Sequence, residues 1–237
     1  MKIRLLFLIL SLFLTHPTLA HRLDLSTLPT YVKNNMLDLS GQNLNDDDIA
    51  PIVTFLNTHP AIHTLNLSHN QLSAQGATQL AQLNNIQYLN VSHNQITEFG
   101  GVSLAENLHF KALNLSDNYL GNESFYAIGL NPYLISVKLN NISVTNDGAY
   151  ALAKSHSLRE VHLMNASISN EGASYLANNP QLRILILAKN DIGDEGASLL
   201  AKNRTLEKID LTDNLLLSDR GKAALERNRD ISHIYLD

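Results

Sequence analysis

The stretch "IHTLNLSHNQLSAQGATQLAQLNN", residues 62–85, combines two kinds of local periodicity. Ile62, Leu65 and Leu67 are spaced in a way that is typical of a short strand with one buried side. After Leu72, the phrase "GATQLA" places small and apolar residues at helical spacing, which predicts a short helix with one buried stripe. The stretch therefore predicts one strand, one turn and one helix.

The same pattern recurs along the chain. Six successive intervals between its apolar pairs are 24 residues long, which identifies a repeat protein. One unit cannot fold alone, because burying about six apolar side chains stabilises by about 1.5–3 kcal/mol each, whereas ordering the backbone costs about 1–2 kcal/mol per residue. Stacked repeats must supply the difference. The pairs begin at Leu37, Leu65, Leu89, Leu113, Val137, Val161, Leu185, Ile209 and Ile234.

The residue pattern is similar to that of a known protein family. Leu-x-x-Leu-x-Leu-x-x-Asn-x-Leu, as in "IHTLNLSHNQL" and "LRILILAKNDI", resembles the leucine-rich repeat signature. The recurring Gly-Ala-x-x-Leu-Ala phrase and the 24-residue period resemble the ribonuclease-inhibitor-like class, in particular the short repeats of bacterial proteins. The resemblance covers residues 37–237. It implies an α/β solenoid of about eight or nine repeats, a curved horseshoe arc with a parallel β-sheet on the concave face and short helices on the convex face.

The N-terminus has the pattern of a secretory signal. Lys2 and Arg4 precede an apolar run over residues 5–14, and small residues follow up to Ala20. The run is shorter than the roughly 20 residues that a membrane-spanning helix needs. We therefore predict a signal peptide over residues 1–20, cleaved after Ala20, and a secreted or periplasmic protein. Residues 21–36 are expected to form an N-terminal cap segment before the repeat domain.

Composition and motifs exclude several classes of function. Cleavage removes two of the 17 basic residues and leaves 22 acidic ones, a net charge of −7. That charge argues against binding to nucleic acid. The sequence has no cysteine and no recognisable catalytic or phosphate-binding motif, so we predict neither an enzyme nor a cofactor. No segment after the signal is long and apolar enough to span a membrane.

The predicted concave face changes character half-way along the chain. Its first half is nearly uniform Asn and Ser, whereas its second half is varied and includes two isoleucines that we expect to be exposed. Apolar anchors with a polar rim are typical of a protein-binding patch. The alternative is that solitary exposed apolar residues are normal. The candidate binding residues are Lys138, Glu160, His162, Met164, Ile184, Ile186 and Lys189. Host-directed effectors are among the bacterial relatives that the resemblance implies, which makes an effector the sharper expectation.

A column of asparagines is interrupted in two repeats. The family resemblance implies that these side chains point inward and bond the backbone of adjacent turns. Ile142 and Ala166 occupy the same slot in the interrupted repeats, so we predict that the loops at 140–143 and 164–167 follow a different path. The expected ladder is Asn70, Asn94, Asn118, Asn190 and Asn214.

Two alternative functions remain open from the sequence. His69, His93 and Asp117 share one column on neighbouring strands about 4.8 Å apart, which permits a metal or small-ligand site, although the column also fits a variable solvent-facing position. The chain also ends in "ISHIYLD", a strand-like segment around Ile234. An exposed last strand could pair with another copy and give a homodimer.

Overall fold

The computed structural model describes residues 24–237. The predicted signal peptide, residues 1–20, lies outside this range. Within the described range, no helix combines the length and the apolar character needed to cross a membrane. Residues 24–36, most of the expected cap segment, form the 3-10 helix Leu25–Tyr31 and a two-stranded hairpin. Leu28 anchors this segment on the core, since it is almost fully buried.

Within residues 24–237, ten short strands form one sheet in the order of the sequence. The first pair is antiparallel and every later pair is parallel, with the buried apolar residues aligned, as in Leu65 beside Leu89. Each strand from β2 onward is centred on one of the nine predicted apolar positions, which confirms the predicted register and gives nine repeats. The strands are β1 (Val32–Lys33), β2 (Met36–Asp38), β3 (Thr64–Asn66), β4 (Tyr88–Asn90), β5 (Ala112–Asn114), β6 (Ser136–Lys138), β7 (Glu160–His162), β8 (Ile184–Ile186), β9 (Lys208–Asp210) and β10 (His233–Tyr235).

In the described part of the chain, eight short α-helices connect the parallel strands and form the second layer. Each packs on the helices before and after it, and one continuous apolar core runs between the layers from Leu28 to Ile231. The predicted α/β solenoid is therefore confirmed. The helices are α1 (Ile49–Asn57), α2 (Ala74–Leu80), α3 (Glu98–Glu106), α4 (Asn122–Leu130), α5 (Thr145–Ala153), α6 (Asn170–Ala177), α7 (Asp194–Leu200) and α8 (Asp219–Glu226).

The glycine of the helix phrase is required by a contact between repeats. The backbone N–H of Gly196 donates to Oδ1 of Asn170 at 3.0 Å, and Gly193 donates to the same oxygen at 2.8 Å. A Cβ at Gly196 would lie 2.7 Å from that oxygen, which is too close for a side chain. A polar side chain at the start of one helix thus caps the start of the next helix. Asp194 does the same for Ser218 and Gly221.

Candidate functional site

In the first half of the sheet face, the asparagines are occupied by the backbone. Asn66, Asn90 and Asn114 end three neighbouring strands, and each side-chain oxygen accepts from the backbone N–H two residues later at 3.1–3.2 Å. This Asx turn bends the chain away from the strand. The uniform Asn and Ser pattern therefore has a structural cause, because it closes the same turn in successive repeats.

The next three strands end without a residue that can close this turn. Lys138, His162 and Ile186 occupy the position of the asparagines, and at the first two a neighbouring repeat replaces the missing bond. The Asn140 N–H donates to Oγ of Ser116 at 3.1 Å, and the Met164 N–H donates to Oδ1 of Asn140 at 2.9 Å. The side chains at the three strand ends are therefore free of this structural role.

The structure brings the candidate residues together on adjacent strands. We define the sheet-face patch as Lys138, Glu160, His162, Met164, Ile184, Ile186 and Lys189. In the sheet register, Lys138 lies beside His162, His162 lies beside Ile186, and Glu160 lies beside Ile184. The expectation that the two isoleucines are exposed was wrong. Both are half-buried, because side chains on strands about 4.8 Å apart cover one another's flanks.

Glu160 and His162 form the most polar contact of the patch. Nε2 of His162 lies 2.6 Å from Oε1 of Glu160, on the same face of β7. Burial, together with the positive charges of Lys138 and Lys208, lowers the pKa of His162, and the neighbouring carboxylate of Glu160 offsets this only in part. Burial also opposes the charged form of Glu160, but the hydrogen bond and charge of His162, together with Ser136 and Lys138, lower its pKa. The lowered pKa of His162 favours a neutral imidazole that donates its Nε2–H to a charged carboxylate.

This pair predicts a pH dependence of stability. Because the pKa of His162 is lowered from 6.5 in the folded protein, the unfolded chain binds the proton more readily. The free energy of unfolding should therefore decrease as the pH falls below about 6.5. Urea denaturation at pH 7.5 and 5.5 should show a larger decrease for the wild type than for His162→Gln, which can still donate to Glu160. An equal decrease in both proteins would contradict the role of His162.

The inward asparagines bond the backbone of two successive repeats. In Asn94, Oδ1 accepts from the Leu72 N–H at 3.0 Å, while Nδ2 donates to the carbonyls of Leu67 and Val91 at 3.0 Å. These backbone groups lie in the interior and have no access to bulk water, so the amide replaces water as their partner. The same pattern is found at Asn70, Asn118, Asn190 and Asn214.

The two interrupted repeats follow a different loop path, as predicted. Ile142 and Ala166 are buried, and each loop contains a second left-handed residue, Thr145 (φ +61°) and Ser167 (φ +59°). The Val144 N–H turns back to the carbonyl of Ile142 at 2.7 Å. The first repeat, which has Gln42 in the slot, also has a second left-handed residue at Asn43. Each loop with Asn in the slot has only one such residue among those described, so the altered path follows from the loss of the amide.

Two family profiles, both described as leucine-rich repeat, match the chain. One covers residues 60–120, and the other covers three consecutive units, 154–177, 178–201 and 202–225. Together they span more than half of the sequence. The chain belongs to the leucine-rich repeat family. The three matched units confirm the 24-residue period, while the ribonuclease-inhibitor-like class stays a prediction.

A solved leucine-rich repeat structure has a similar fold. Internalin C2 from Listeria monocytogenes superposes with a TM-score of 0.61 and 20% sequence identity, over 93% of each chain. At this identity the likeness concerns the fold alone. No curated protein matches the sequence.

A second asparagine ladder runs along the loops that lead from each helix of the leucine-rich repeats to the next strand. In Asn131, Nδ2 donates to the carbonyls of Ala105 and Asn107 in the preceding repeat at 2.7 and 2.9 Å, and Oδ1 accepts from the N–H groups of Tyr133 and Leu134. Sequence reasoning missed this ladder, although its spacing of about 24 residues was visible. Its members are Asn107, Asn131, Asn179, Asn203 and Asn228, all buried, with Ser155 in the remaining position.

The histidine column does not form a metal site. The rings of His69 and His93 are stacked, with centroids 4.0 Å apart and planes 11° from parallel, so their nitrogens do not converge on one point. Nε2 of His93 instead faces Oδ2 of Asp117 at 3.3 Å. Among residues 24–237, no group of three His, Cys, Asp or Glu side chains is placed to hold a metal ion. The hypothesis that these residues share one metal ion is therefore wrong.

The structure extends the sheet-face patch by two residues that sequence reasoning did not select. Lys208 lies beside Ile184 in the register of β8 and β9, and its Nζ lies 5.3 Å from the ring centroid of Tyr235 on β10. The ring is half exposed, so the cation and the aromatic face are both accessible at the edge of the patch. Both residues are visible in the sequence pattern, but only the structure shows that Lys208 adjoins Ile184 and that Tyr235 lies against Lys208.

Proposed function

We propose that the protein is a non-enzymatic, exported bacterial module that binds a protein partner through the sheet-face patch. The observation that carries the proposal is the change at the strand ends from Asn66, Asn90 and Asn114 to Lys138, His162 and Ile186. Asparagine closes a turn at the first three positions. At Lys138 and His162 a neighbouring repeat holds the turn, and at all three positions the side chain contributes surface chemistry instead.

The chemistry of the patch fits a protein partner. Ile184, Ile186 and Met164 present partly buried apolar surface, and the two branched isoleucines lose little side-chain freedom when they are ordered. Lys138 and Lys189 add positive charge at the margins, and Glu160 adds a carboxylate beside them. An apolar centre with charged groups at its rim is the usual composition of a protein interface.

The proposal includes export. Residues 1–20 have the basic start, apolar run and small residues of a signal peptide, and the net charge of the remaining chain is acidic. A host-directed effector is the narrower form of the proposal and rests on the family resemblance.

Two substitutions in the centre of the patch test the proposal. We expect the combined variant Ile184→Asp and Ile186→Asp to weaken binding of the partner by about tenfold or more, because it places two charges in a desolvated centre. Chemical cross-linking followed by affinity capture compares the partners of wild type and variant, and titration against the captured partner gives the fold-change.

The matched control adds the same two charges to the helix layer. Ser174→Asp and Ser198→Asp lie on α6 and α7, away from the patch, and should leave binding unchanged. Thermal denaturation checks that both double variants remain folded. Equal capture by the patch variant and the wild type would contradict the proposed surface.

A homodimer through the last strand is the second proposal. In the described part of the chain, β10 pairs only with β9, and its other edge pairs with no strand. Unpaired backbone groups at a sheet edge can bond a second chain. The molar mass in solution, measured by light scattering, distinguishes this assembly from a monomer that binds a different protein.

A further inference from the structure

The helix layer contains an apolar groove on the side opposite the sheet-face patch. It lies between α3 and α4 and has a volume of about 670 Å³. Phe99 and Leu130 line it and are largely exposed, and Leu108 and Tyr126 are about half exposed. Exposed apolar surface of this kind on one face marks an interaction site more often than scattered single residues do.

The repeats themselves show that these apolar residues are unusual. Because the helices stack in register, the positions of Phe99 and Leu130 have counterparts one repeat apart. The counterparts of Phe99 lie on α2 and α4 to α7, those of Leu130 lie at or just beyond the ends of α2, α3 and α5 to α7, and all of them are polar. The stacking of helices therefore does not require an apolar side chain at either position. The counterparts of Phe99 are Gln75, Glu123, Asp147, Glu171 and Glu195, and those of Leu130 are Gln82, Glu106, Lys154, Asn178 and Lys202.

The rim of the groove is acidic. Glu98, Glu106 and Glu123 line it, and its described lining contains no Lys, Arg or His. Oε1 of Glu98 accepts from the Glu123 N–H at 2.9 Å, which holds the first carboxylate at the groove. None of the three carboxylates forms an ion pair within residues 24–237. Their charge is therefore available to a cationic ligand.

We propose that this groove binds a basic amphipathic segment of another protein. Apolar side chains of the segment fill the space around Phe99 and Leu130, and its Lys or Arg residues face Glu98, Glu106 and Glu123. A helix with an apolar stripe meets both requirements, since it presents anchors at helical spacing with cations beside them.

Charge argues against two other occupants. A second copy that pairs through the same groove would bring three carboxylates against three, and like charges at an interface are repelled. An acidic segment meets the same repulsion. The chain's own N-terminal residues are basic and apolar, and the test below distinguishes them from a separate partner.

The probe is a synthetic helical peptide of about 16 residues with Leu along one stripe and Lys along its flanks. Its twin has Glu in place of every Lys. Fluorescence anisotropy with the full chain should show that the Lys peptide binds about tenfold more tightly than the Glu peptide, and that added salt reduces this difference.

Variants copied from other repeats keep the fold while changing the groove. Phe99→Gln places the residue of position 75, and Leu130→Lys places the residue of positions 154 and 202. Each should weaken binding of the Lys peptide by about tenfold, Phe99→Gln through the lost anchor and Leu130→Lys through the lost anchor and the added cation. Glu106→Gln with Glu123→Gln leaves Glu98 as the one rim carboxylate among the lining residues and should remove most of the preference for Lys over Glu while retaining the apolar contact.

Leu215→Lys is the matched control, because Leu215 is 94% exposed and lies outside the groove. It should bind the Lys peptide like the wild type. Similar affinity for the two peptides, or unchanged binding by Leu130→Lys, would overturn the proposal. A wild-type dimer that Leu130→Lys dissociates would assign the groove to a second copy, and cross-links from the groove to residues 1–23 would assign it to the chain's own N-terminus. Either result would also overturn the proposal. The sheet-face variant Ile184→Asp with Ile186→Asp should not affect peptide binding.

Discussion

Asn190→Ala is expected to lower the free energy of unfolding by about 4 kcal/mol. Oδ1 of Asn190 accepts from the N–H groups of Ala166 and Ile168, both at 3.0 Å, and Nδ2 donates to the carbonyls of Leu163 and Leu187 at 2.7 and 2.9 Å. The substitution leaves four backbone groups without this partner. Each buried group left unpaired costs about 1–3 kcal/mol, and partial relaxation of the loop reduces the sum.

The cost at Asn190 should exceed that at Asn118. Oδ1 of Asn118 accepts from one N–H, that of Ile96, whereas Oδ1 of Asn190 accepts from two. The extra donor is the N–H of Ala166, the residue that occupies the slot in the preceding repeat. Asn118→Ala should therefore cost about 1 kcal/mol less than Asn190→Ala.

Urea denaturation followed by circular dichroism measures these differences. Asn178→Ala is the matched control, because Asn178 is exposed, has an ordinary right-handed backbone at the end of α6, and its Nδ2 donates to the carbonyl of Ser174 on the same helix. It should change the free energy of unfolding by less than about 0.5 kcal/mol. A loss below about 1.5 kcal/mol for Asn190→Ala, or equal losses at positions 118 and 190, would show that the loop finds other partners.

The strands were predictable because burial imposes a strict pattern on them. Leu65 and Leu67 must both face the core. Because the repeats are 24 residues apart, the equivalent positions in each repeat must be apolar for the same reason. The helix phrase was predictable for the same reason, since Gly196 and Ala197 lie where the cap from the previous helix leaves little room. Where a contact between repeats restricts a position to one residue type, the same residue type recurs one repeat away, and that recurrence reveals the contact.

The surface was less predictable because it depends on neighbours rather than on the repeat. Ile184 and Ile186 are half-buried because side chains on the neighbouring strands cover them. The alternation of residues along one strand does not reveal this burial. His69 and His93 share a column, but only the ring orientation shows that they stack rather than converge. The apolar groove was missed because Phe99 and Leu130 belong to different repeats and meet only across α3 and α4.

Asn179→Ser should lower the free energy of unfolding by about 2–3 kcal/mol, and Gln181→Ser should restore about 1 kcal/mol of this loss. Nδ2 of Asn179 donates to the carbonyls of Ala153 and Ser155 at 3.0 and 2.9 Å, and a serine cannot reach both. One repeat earlier, two serines take the place of the asparagine as hydrogen-bond partners of the backbone. Oγ of Ser155 accepts from the Leu158 N–H at 3.1 Å, and Oγ of Ser157 donates to the carbonyl of the preceding repeat at 2.7 Å.

The pair of substitutions at 179 and 181 copies this arrangement, so the two effects should not add. Gln181→Ser alone should change the free energy of unfolding by less than about 0.5 kcal/mol, because its side chain is half exposed. A double-mutant cycle by urea denaturation measures the coupling between the positions, which we expect to be about 1 kcal/mol in favour of the double variant. Strict additivity would show that Ser157 does not replace the asparagine as a donor. A positive coupling would show that the second ladder needs a donor and an acceptor at each turn and that the residue type supplying them can change.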